Sequence, residues 1–562
     1  MPGKSVKTAA DFAEAIQKKN FEQLQLIPVE WRIPEDKLPS KEQVQVINFT
    51  AECGILSKEE LEIVCKDTSE LLSELAGGNI TCLAVTTAFC KAAAIAHQLT
   101  NCLTEIFFTQ ALHRAKELDN VFAKTGKPTG ALFGLPISLK DQFQIKGTEC
   151  NMGTVSWIGH ISEENAVLVD ILQDAGAILP FRINVSQSLM FPEADNYVYG
   201  RSDNPFNRTL TCGGSSGGEG VVVSMHGSAI GVGTDLGGSV RVPAAYNGLY
   251  GLRPTSNRLP YAGARNSLLG FEGVAPTLGP ISNSLSGVYA FVKAVLDAKP
   301  WLLDSRTPEI PWRQEMASLH HLRNADGTPR KPVYGIMRWD KYVMPWPPVR
   351  RAIEMTVSAL AKAGYEVVDF EPPFDSQEAE KVVMGIFSSD GGEDLRRTLA
   401  PSGEPRHPMM VTGESDLPIS VYESWQLNVE KNRVQDAWLK AWNATAKLSS
   451  IGQPIDGLIL PPCAHVAHKH GKWPKHTIYT SLFNLIDYPA MVIPVHSAVD
   501  PELDPIDKEF KPASARDAEI QAMYSPKEYA GAPIAVQLVC RRFREEECIG
   551  LTGIITDALK YA

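Results

Sequence analysis

Several things are scarce in this 562-residue chain, and each scarcity removes a class of protein. None of its ten cysteines forms a CxxC pair. The thiols therefore read as scattered and reduced rather than as a disulfide framework or a cysteine metal site. No uninterrupted apolar run reaches the roughly 18 residues a membrane-spanning helix needs, which predicts no spanning helix. The first twenty residues, MPGKSVKTAADFAEAIQKKN, hold no apolar core segment. That predicts no secretory signal and a cytoplasmic location, and it makes the sequons at Asn48 and Asn207 chance matches. Positive charge is in deficit, with 54 Lys and Arg against 65 Asp and Glu and a net charge of −11. Nucleic acid and acidic membrane surfaces are poor partners for such a chain. No internal repeat is present.

What remains is ordinary in bulk, 44% hydrophobic and 21% charged, as in a globular enzyme-sized protein. Residues 1–75 carry a helical period, with Leu61, Val64, Cys65, Leu71, Leu72 and Leu75 near one face and Gly77-Gly78 as the stop. Helices follow over about 81–99 and 105–124. From residue 130 strands alternate with helices: a buried strand ending in Lys140, a helix over 165–176, a strand over 177–181, a helix over 214–227 and a strand over 229–233. Later strands are expected at 333–337, 365–370, 456–460, 490–495 and 533–540. This alternation predicts an α/β sheet protein. We divide it into an N-terminal helical segment, 1–75, and one larger domain, 76–562. Residues 371–455 have the weakest periodicity, with loops marked by Gly391-Gly392 and 401–405, and are expected to shape a pocket wall.

The chemistry concentrates in residues 211–247, TCGGSSGGEGVVVSMHGSAIGVGTDLGGSVRVPAAYN. Two glycine-serine clusters stand there, Gly213-Gly214-Ser215-Ser216-Gly217-Gly218 and Gly237-Gly238-Ser239. Glycine lets backbone amides approach a ligand closely. A phosphate loop is excluded, because neither GxxxxGK[ST] nor GxGxxG occurs in the stretch. Gly213 to Gly217 formally fits the G-x-S-x-G nucleophile elbow, with His465 or His496 as a distant base. That reading leaves the second cluster and Lys140 without a role, and so do structural turns alone. A fourth reading uses all three parts. A serine nucleophile needs a base, and a lysine on an apolar strand can supply one if burial keeps it neutral. Ser215 would bridge Lys140 to the nucleophile, and the glycines before Ser239 would donate amides to an oxyanion.

These two clusters, with Gly233-Thr234-Asp235-Leu236 before the second and Lys140 placed 75 residues ahead of Ser215, resemble the amidase signature family. Leu249 to Pro254, Pro311 to Gln314 and Gly531 to Gln537 extend the resemblance, and within the family the chain is similar to the fungal acetamidases. The resemblance implies one large mixed β-sheet covered by helices on both faces, with no metal or cofactor. It implies a Ser-Ser-Lys triad: Ser239 as acylated nucleophile, Ser215 as bridge after a cis peptide from Gly214, and Lys140 as base. It also implies an oxyanion hole from the amides of Leu236, Gly237, Gly238 and Ser239.

The implied activity is hydrolysis of a small carboxamide, acetamide-like or aryl, to a carboxylate and ammonia or an amine. The alternatives are a lactam, carbamate or ester hydrolase of the same fold and a non-catalytic amidase-like binding protein. The expected partner is the small-molecule amide, and a homodimer is allowed. The chain departs from the family's Lys-Thr-Asn at Arg182-Ile183-Asn184, and has Ser186 where proline is common. Leu189, Met190 and Phe191, which follow, are expected to crowd the acyl pocket. His465, His468 and His470 are expected to occupy a polar loop rather than a metal site, because zinc needs a denser ligand set.

Overall fold

Every residue of the strand Ile230–Asp235 is buried. Successive strand residues point to opposite faces, so unbroken burial means that both faces of the sheet are covered. The computed structural model describes residues 9–40, 42–324, 326–410, 412 and 417–561. Among them thirteen strands occur in chain order. They are β1 (Leu103–Ile106), β2 (Ile137–Lys140), β3 (Phe181–Ile183), β4 (Asp203–Asn204), β5 (Asn207–Thr211), β6 (Ile230–Asp235) and β7 (Tyr250–Arg253). They continue with β8 (Thr277–Ser282), β9 (Val333–Ile336), β10 (Glu366–Asp369), β11 (Gly457–Leu460), β12 (Ala490–Ala498) and β13 (Pro533–Val539). Eleven form one mixed sheet in the order β1-β3-β2-β6-β8-β7-β12-β13-β11-β9-β10, and β4 with β5 makes a small hairpin. Parallel pairing joins β3, β2 and β6 on one flank and β11, β9 and β10 on the other, with antiparallel strands between. The expected large mixed sheet, covered on both faces, is what the chain forms.

Several expected elements shift. The helical pattern over 58–75 is two helices, Lys58–Cys65 and Thr68–Gly77, because Asp67 caps the second by accepting from the Ser69 amide. Cys65 is consequently exposed rather than on the buried face. Residues 105 and 106 end a strand, and the helix starts at Phe108. The strand expected over 177–181 is displaced to Phe181–Ile183. The helix Cys82–Thr100 contains an 18-residue window of mean hydropathy 1.3, long and apolar enough by composition to cross a membrane. Lys91 and His97 interrupt it, so a search for an unbroken run passes over it. Of that window 72% is buried inside the protein, which makes it a core helix.

Within residues 371–455, Ser376–Phe387, Glu393–Leu399 and Val421–Ala444 are helices, and turns fall at Gly391-Gly392 and 401–403, where the sequence marks loops. Residues 411 and 413–416 of that stretch lie outside the described residues. One apolar core cluster runs from Ile27 through Val64, Leu75 and the sheet to Ala558. The helices Lys58–Cys65 and Thr68–Gly77 thus pack onto the same core as the sheet, while Phe12 of the first helix, Ala9–Gln25, joins a separate small cluster with Val155, Val198 and Tyr199.

Candidate active site

Lys140 ends β2, fully buried, with its side chain between two hydroxyls. In its ammonium form it donates to Ser215 Oγ at 2.8 Å and to Thr234 Oγ1 at 2.7 Å. Thr234 in turn donates to Gln142 Oε1 at 2.8 Å, which fixes the direction of that hydroxyl. β2 and β6 are parallel neighbours, so their carboxyl ends bring Lys140 and Thr234 together. No carboxylate forms an ion pair with Lys140 among the described residues. Burial therefore dominates and brings its pKa down from 10.5 to about 7, with Asp235 and Glu219 partly opposing the shift. A change of that size corresponds to about 5 kcal/mol of preference for the neutral amine.

Ser215 reaches Lys140 from the first glycine-serine cluster. The Gly214–Ser215 peptide is cis, as the resemblance implies. Gly214 is required by space: a Cβ there would lie 2.5 Å from the Glu193 amide nitrogen and 2.9 Å from the Phe191 carbonyl. Ser216 follows and caps no backbone amide of its helix, Gly217–Ser224. Its Oγ instead accepts from the Thr234 amide at 3.2 Å, and its own amide donates to the Ser239 carbonyl at 3.3 Å. These two bonds tie the first cluster to β6 and to the second cluster.

The second cluster is a turn built on Asp235. Its Oδ1 accepts from the Gly238 amide at 2.9 Å and its Oδ2 from the Val240 amide at 3.1 Å. Arg241 closes the turn with bonds of 3.0 Å to both carboxylate oxygens, and Asn484 adds a third side-chain donor at 2.8 Å. Burial alone would raise the Asp235 pKa, but the Arg241 guanidinium and these donors hold it well below the usual carboxylate range. Gly238 has φ +136°, and a Cβ there would meet Thr480 Oγ1 at 2.5 Å, so only glycine serves. The expectation that all four amides of 236–239 face an oxyanion needs a correction. The Gly238 amide is committed to Asp235, while those of Leu236, Gly237 and Ser239 have no acceptor among the described residues. Ser239 is half-buried, at the wall of a cleft.

That cleft encloses about 700 Å³ of empty space, its open mouth included. Its walls are mostly apolar, with Met190, Phe191, Leu236 and Val242 from the sheet side and Met384 and Phe387 from the helix Ser376–Phe387. A smaller space of about 360 Å³ adjoins it, bordered by Ser215, Thr234, Tyr261 and Phe271. Leu189, Met190, Leu236 and Ser239 border both, so Ser239 stands where the two meet. Leu189 and Ser188 have φ of 65° and 55°, a left-handed pair that turns the chain into the cleft wall. Phe191 lines the cleft but also stacks on His407, ring centres 4.4 Å apart. Ser186, at the departure from the family pattern, donates to the Phe191 carbonyl at 2.7 Å and so anchors this wall.

The comparisons with known proteins agree with this geometry. The Amidase family model matches residues 84–549. The chain belongs to the amidase family. It is similar to an acetamidase of Emericella nidulans, 40% identical over 527 residues that cover 93% of this chain and 94% of that protein. An acetamidase of Aspergillus oryzae is 38% identical, covering 95% of this chain and 96% of that one. Among solved structures, a fatty acid amide hydrolase superposes with a TM-score of 0.90 at 31% identity, covering 99% of this chain and 97% of that one. The amidase is therefore an amide-hydrolysing enzyme whose substrate is a small-molecule amide.

The structure of this amidase brings Lys140, Ser215, Leu236, Gly237, Ser239, Leu189 and Met190 to one place. His465 lines the cleft together with Gly214 and Ser239, but neither histidine of the elbow reading hydrogen-bonds Ser215 among the described residues. His496 is exposed on β12, and His465 Nδ1 donates to the Val466 carbonyl at 2.8 Å. In the loop of His465, His468 and His470 the first two side chains are buried and His470 is half-buried. Burial lowers the His465 pKa to about 4 and that of His468 well below the usual value, so both stay neutral. Burial also opposes a charge on His470, but bonds to Asp203 and Glu193 prevail and raise it to about 9. Sequence reasoning missed Thr234, Gln142 and the Asp235–Arg241 pair. The pair could have been read from its motif, two opposite charges flanking a glycine turn in an otherwise apolar stretch.

Proposed function

We propose that this amidase hydrolyses carboxamides with an apolar acyl group through an acyl-enzyme on Ser239. The observation that carries the reading is a fully buried lysine, 2.8 Å from Ser215 Oγ and held without a carboxylate partner. A lysine kept neutral in this way can accept a proton. As Ser239 Oγ attacks the carbonyl carbon, its proton passes to Ser215 Oγ, and the Ser215 proton passes to Lys140 Nζ. The oxyanion that forms is met by the amides of Leu236, Gly237 and Ser239. Collapse breaks the C–N bond, and the proton returns from Lys140 through Ser215 to the departing nitrogen. Water then attacks the acyl-Ser239 ester by the same relay, releasing the carboxylate and restoring Ser239.

The size of the acyl group is the open variable. The apolar lining beside Ser239, Met190, Phe191, Leu236, Val242, Met384 and Phe387, supports an aryl or extended alkyl acyl group, whereas the acetamidase relatives favour a short one. The smaller space beside Ser215 suits the leaving amine, because the returning proton arrives there. Ammonia or amine release should be assayed across acetamide, an aryl amide and a long-chain fatty amide. The reading expects kcat/KM to rise by tenfold or more from acetamide to the aryl amide, since each methylene contributes about 1–3 kcal/mol in an apolar site. Maximal activity on acetamide would contradict the assignment of the cleft, and release from none would leave a binding protein.

A further inference from the structure

The sequence of the first cluster carries one charge the reaction does not use, Glu219. It lies on the helix Gly217–Ser224, four residues after Ser215, and is fully buried. Its Oε2 accepts from Ser138 Oγ, while Oε1 has no hydrogen-bond partner among the described residues. Ser138 is on β2 two residues before Lys140, so both side chains leave the same face of that strand. Opposite them β6 is cut away to make room: a Cβ on Gly231 would lie 2.4 Å from Glu219 Oε2. The carboxyl therefore occupies a space shaped for it, behind the proton relay and out of reach of the substrate cleft.

We propose that Glu219 is a positioning residue of the relay, a carboxylic acid that keeps its own proton so that Lys140 can lose one. This rests on the reading of Lys140 as the base. A carboxylate with an unpartnered oxygen is costly to bury, whereas a neutral acid is not. Burial accordingly raises the Glu219 pKa to about 8, with Ser138, the Val232 amide and Lys140 each partly opposing it. The other groups around it do not take over. Asp235 on β6 is held by Arg241, the next helix's first residue. Asp141 after β2 faces Arg182 of β3 at 3.5 Å. His97, at the end of the helix Cys82–Thr100, is kept neutral by burial, and burial raises the Cys102 pKa to about 12. Lys140 is the cation whose charge Glu219 feels.

The consequence is an antagonism between two protons. Near neutral pH the neutral acid leaves Lys140 free to be an amine. If Glu219 ionises at higher pH, its negative charge draws a proton back to Lys140. The rise of activity with pH should then be broad, extending over more than one proton's titration. Glu219→Gln keeps the shape and removes the charge. It should move the midpoint of the rising limb to lower pH by about half a unit or more and sharpen it to a single titration. Ser138→Ala removes a donor that favours the carboxylate, so it should shift the limb in the same direction by less.

The measurement is kcat/KM against pH for wild type and both variants, with thermal midpoints recorded alongside. A limb that keeps its midpoint and breadth in both variants, whatever the plateau rate, would assign Glu219 a purely structural role and overturn the proposal. If Glu219→Gln does not fold, Ser138→Ala decides in the same way. Lys140→Ala separates the two readings: an active variant removes the base, whereas an inactive one with unmoved limbs at positions 219 and 138 removes only the role of Glu219.

Discussion

In the proposed relay, Lys140 acts as a base because of what is withheld from it. Two hydroxyls contact it, burial removes water, and the nearest carboxylates are committed to Arg241 or held as an acid. Because its pKa is lowered to about 7, the neutral form predominates above that pH and the ammonium form below it. Activity should thus rise with pH through about 7, as followed by kcat/KM across pH 5–9. Lys140→Ala should lower the acylation rate on the order of a thousandfold. Lys140→Arg should be equally inactive, since arginine stays protonated, and an active arginine variant would mean that only positive charge is needed. At this scale much was legible. Lys140, Ser215 and Ser239 stand in motifs whose residue types fit one chemistry. Thr234 and Gln142 were not legible, because a threonine and a glutamine gain their roles only when β2 and β6 pair. Nor could spacing reveal that the Gly238 amide turns to Asp235.

Among the elements, the helix Ser376–Phe387 contributes Met384 and Phe387 to the cleft opposite Met190. Alanine at both positions should change the ratio of kcat/KM between an aryl amide and acetamide by tenfold or more, read in a competition assay. An equal loss on both substrates would mean that the helix supports the fold and the acyl group lies elsewhere. The stretch that contains it reads poorly from sequence for a physical reason. The helix Val421–Ala444 buries Val434, Trp438 and Trp442 at a spacing of four, yet exposes Val421, Tyr422, Trp425 and Val429 in its first half. Apolar residues on two faces of one helix erase the periodic signal. The strands β9 to β13, by contrast, each carry a β-branched or aliphatic core and fall where the sequence places them. β1, β7 and β8 were not legible, because each mixes its apolar residues with Thr, Glu, Gly, Arg, Pro or Ser.

On the scale of the whole molecule, Arg241 joins the parts that carry the site. Besides Asp235 on β6, it donates to the Thr480 carbonyl at 2.9 Å, to Asn484 at 2.6 Å and to Gln537 of β13 at 3.2 Å. Its loss would strand a buried carboxylate beneath the catalytic turn. Arg241→Ala should destabilise the protein by about 3–5 kcal/mol, lowering the denaturant midpoint without changing the slope. An unchanged midpoint would show that the turn is held by its backbone bonds alone. The α/β class was legible from the alternation of strands and helices, and the single large mixed sheet from the family resemblance. The strand order was not, since it depends on pairings between residues hundreds of positions apart, such as Ala490 with Arg253.

The account depends most on the identity of the acylated residue. Wild-type enzyme treated with a serine-directed fluorophosphonate, then analysed by intact mass and peptide mapping, tests it directly. One adduct on the peptide containing Ser239, absent from Ser239→Ala and formed far more slowly in Lys140→Ala, is the predicted result. An adduct on Ser215 in the wild-type protein would contradict it and return the first glycine-serine cluster to the role of nucleophile.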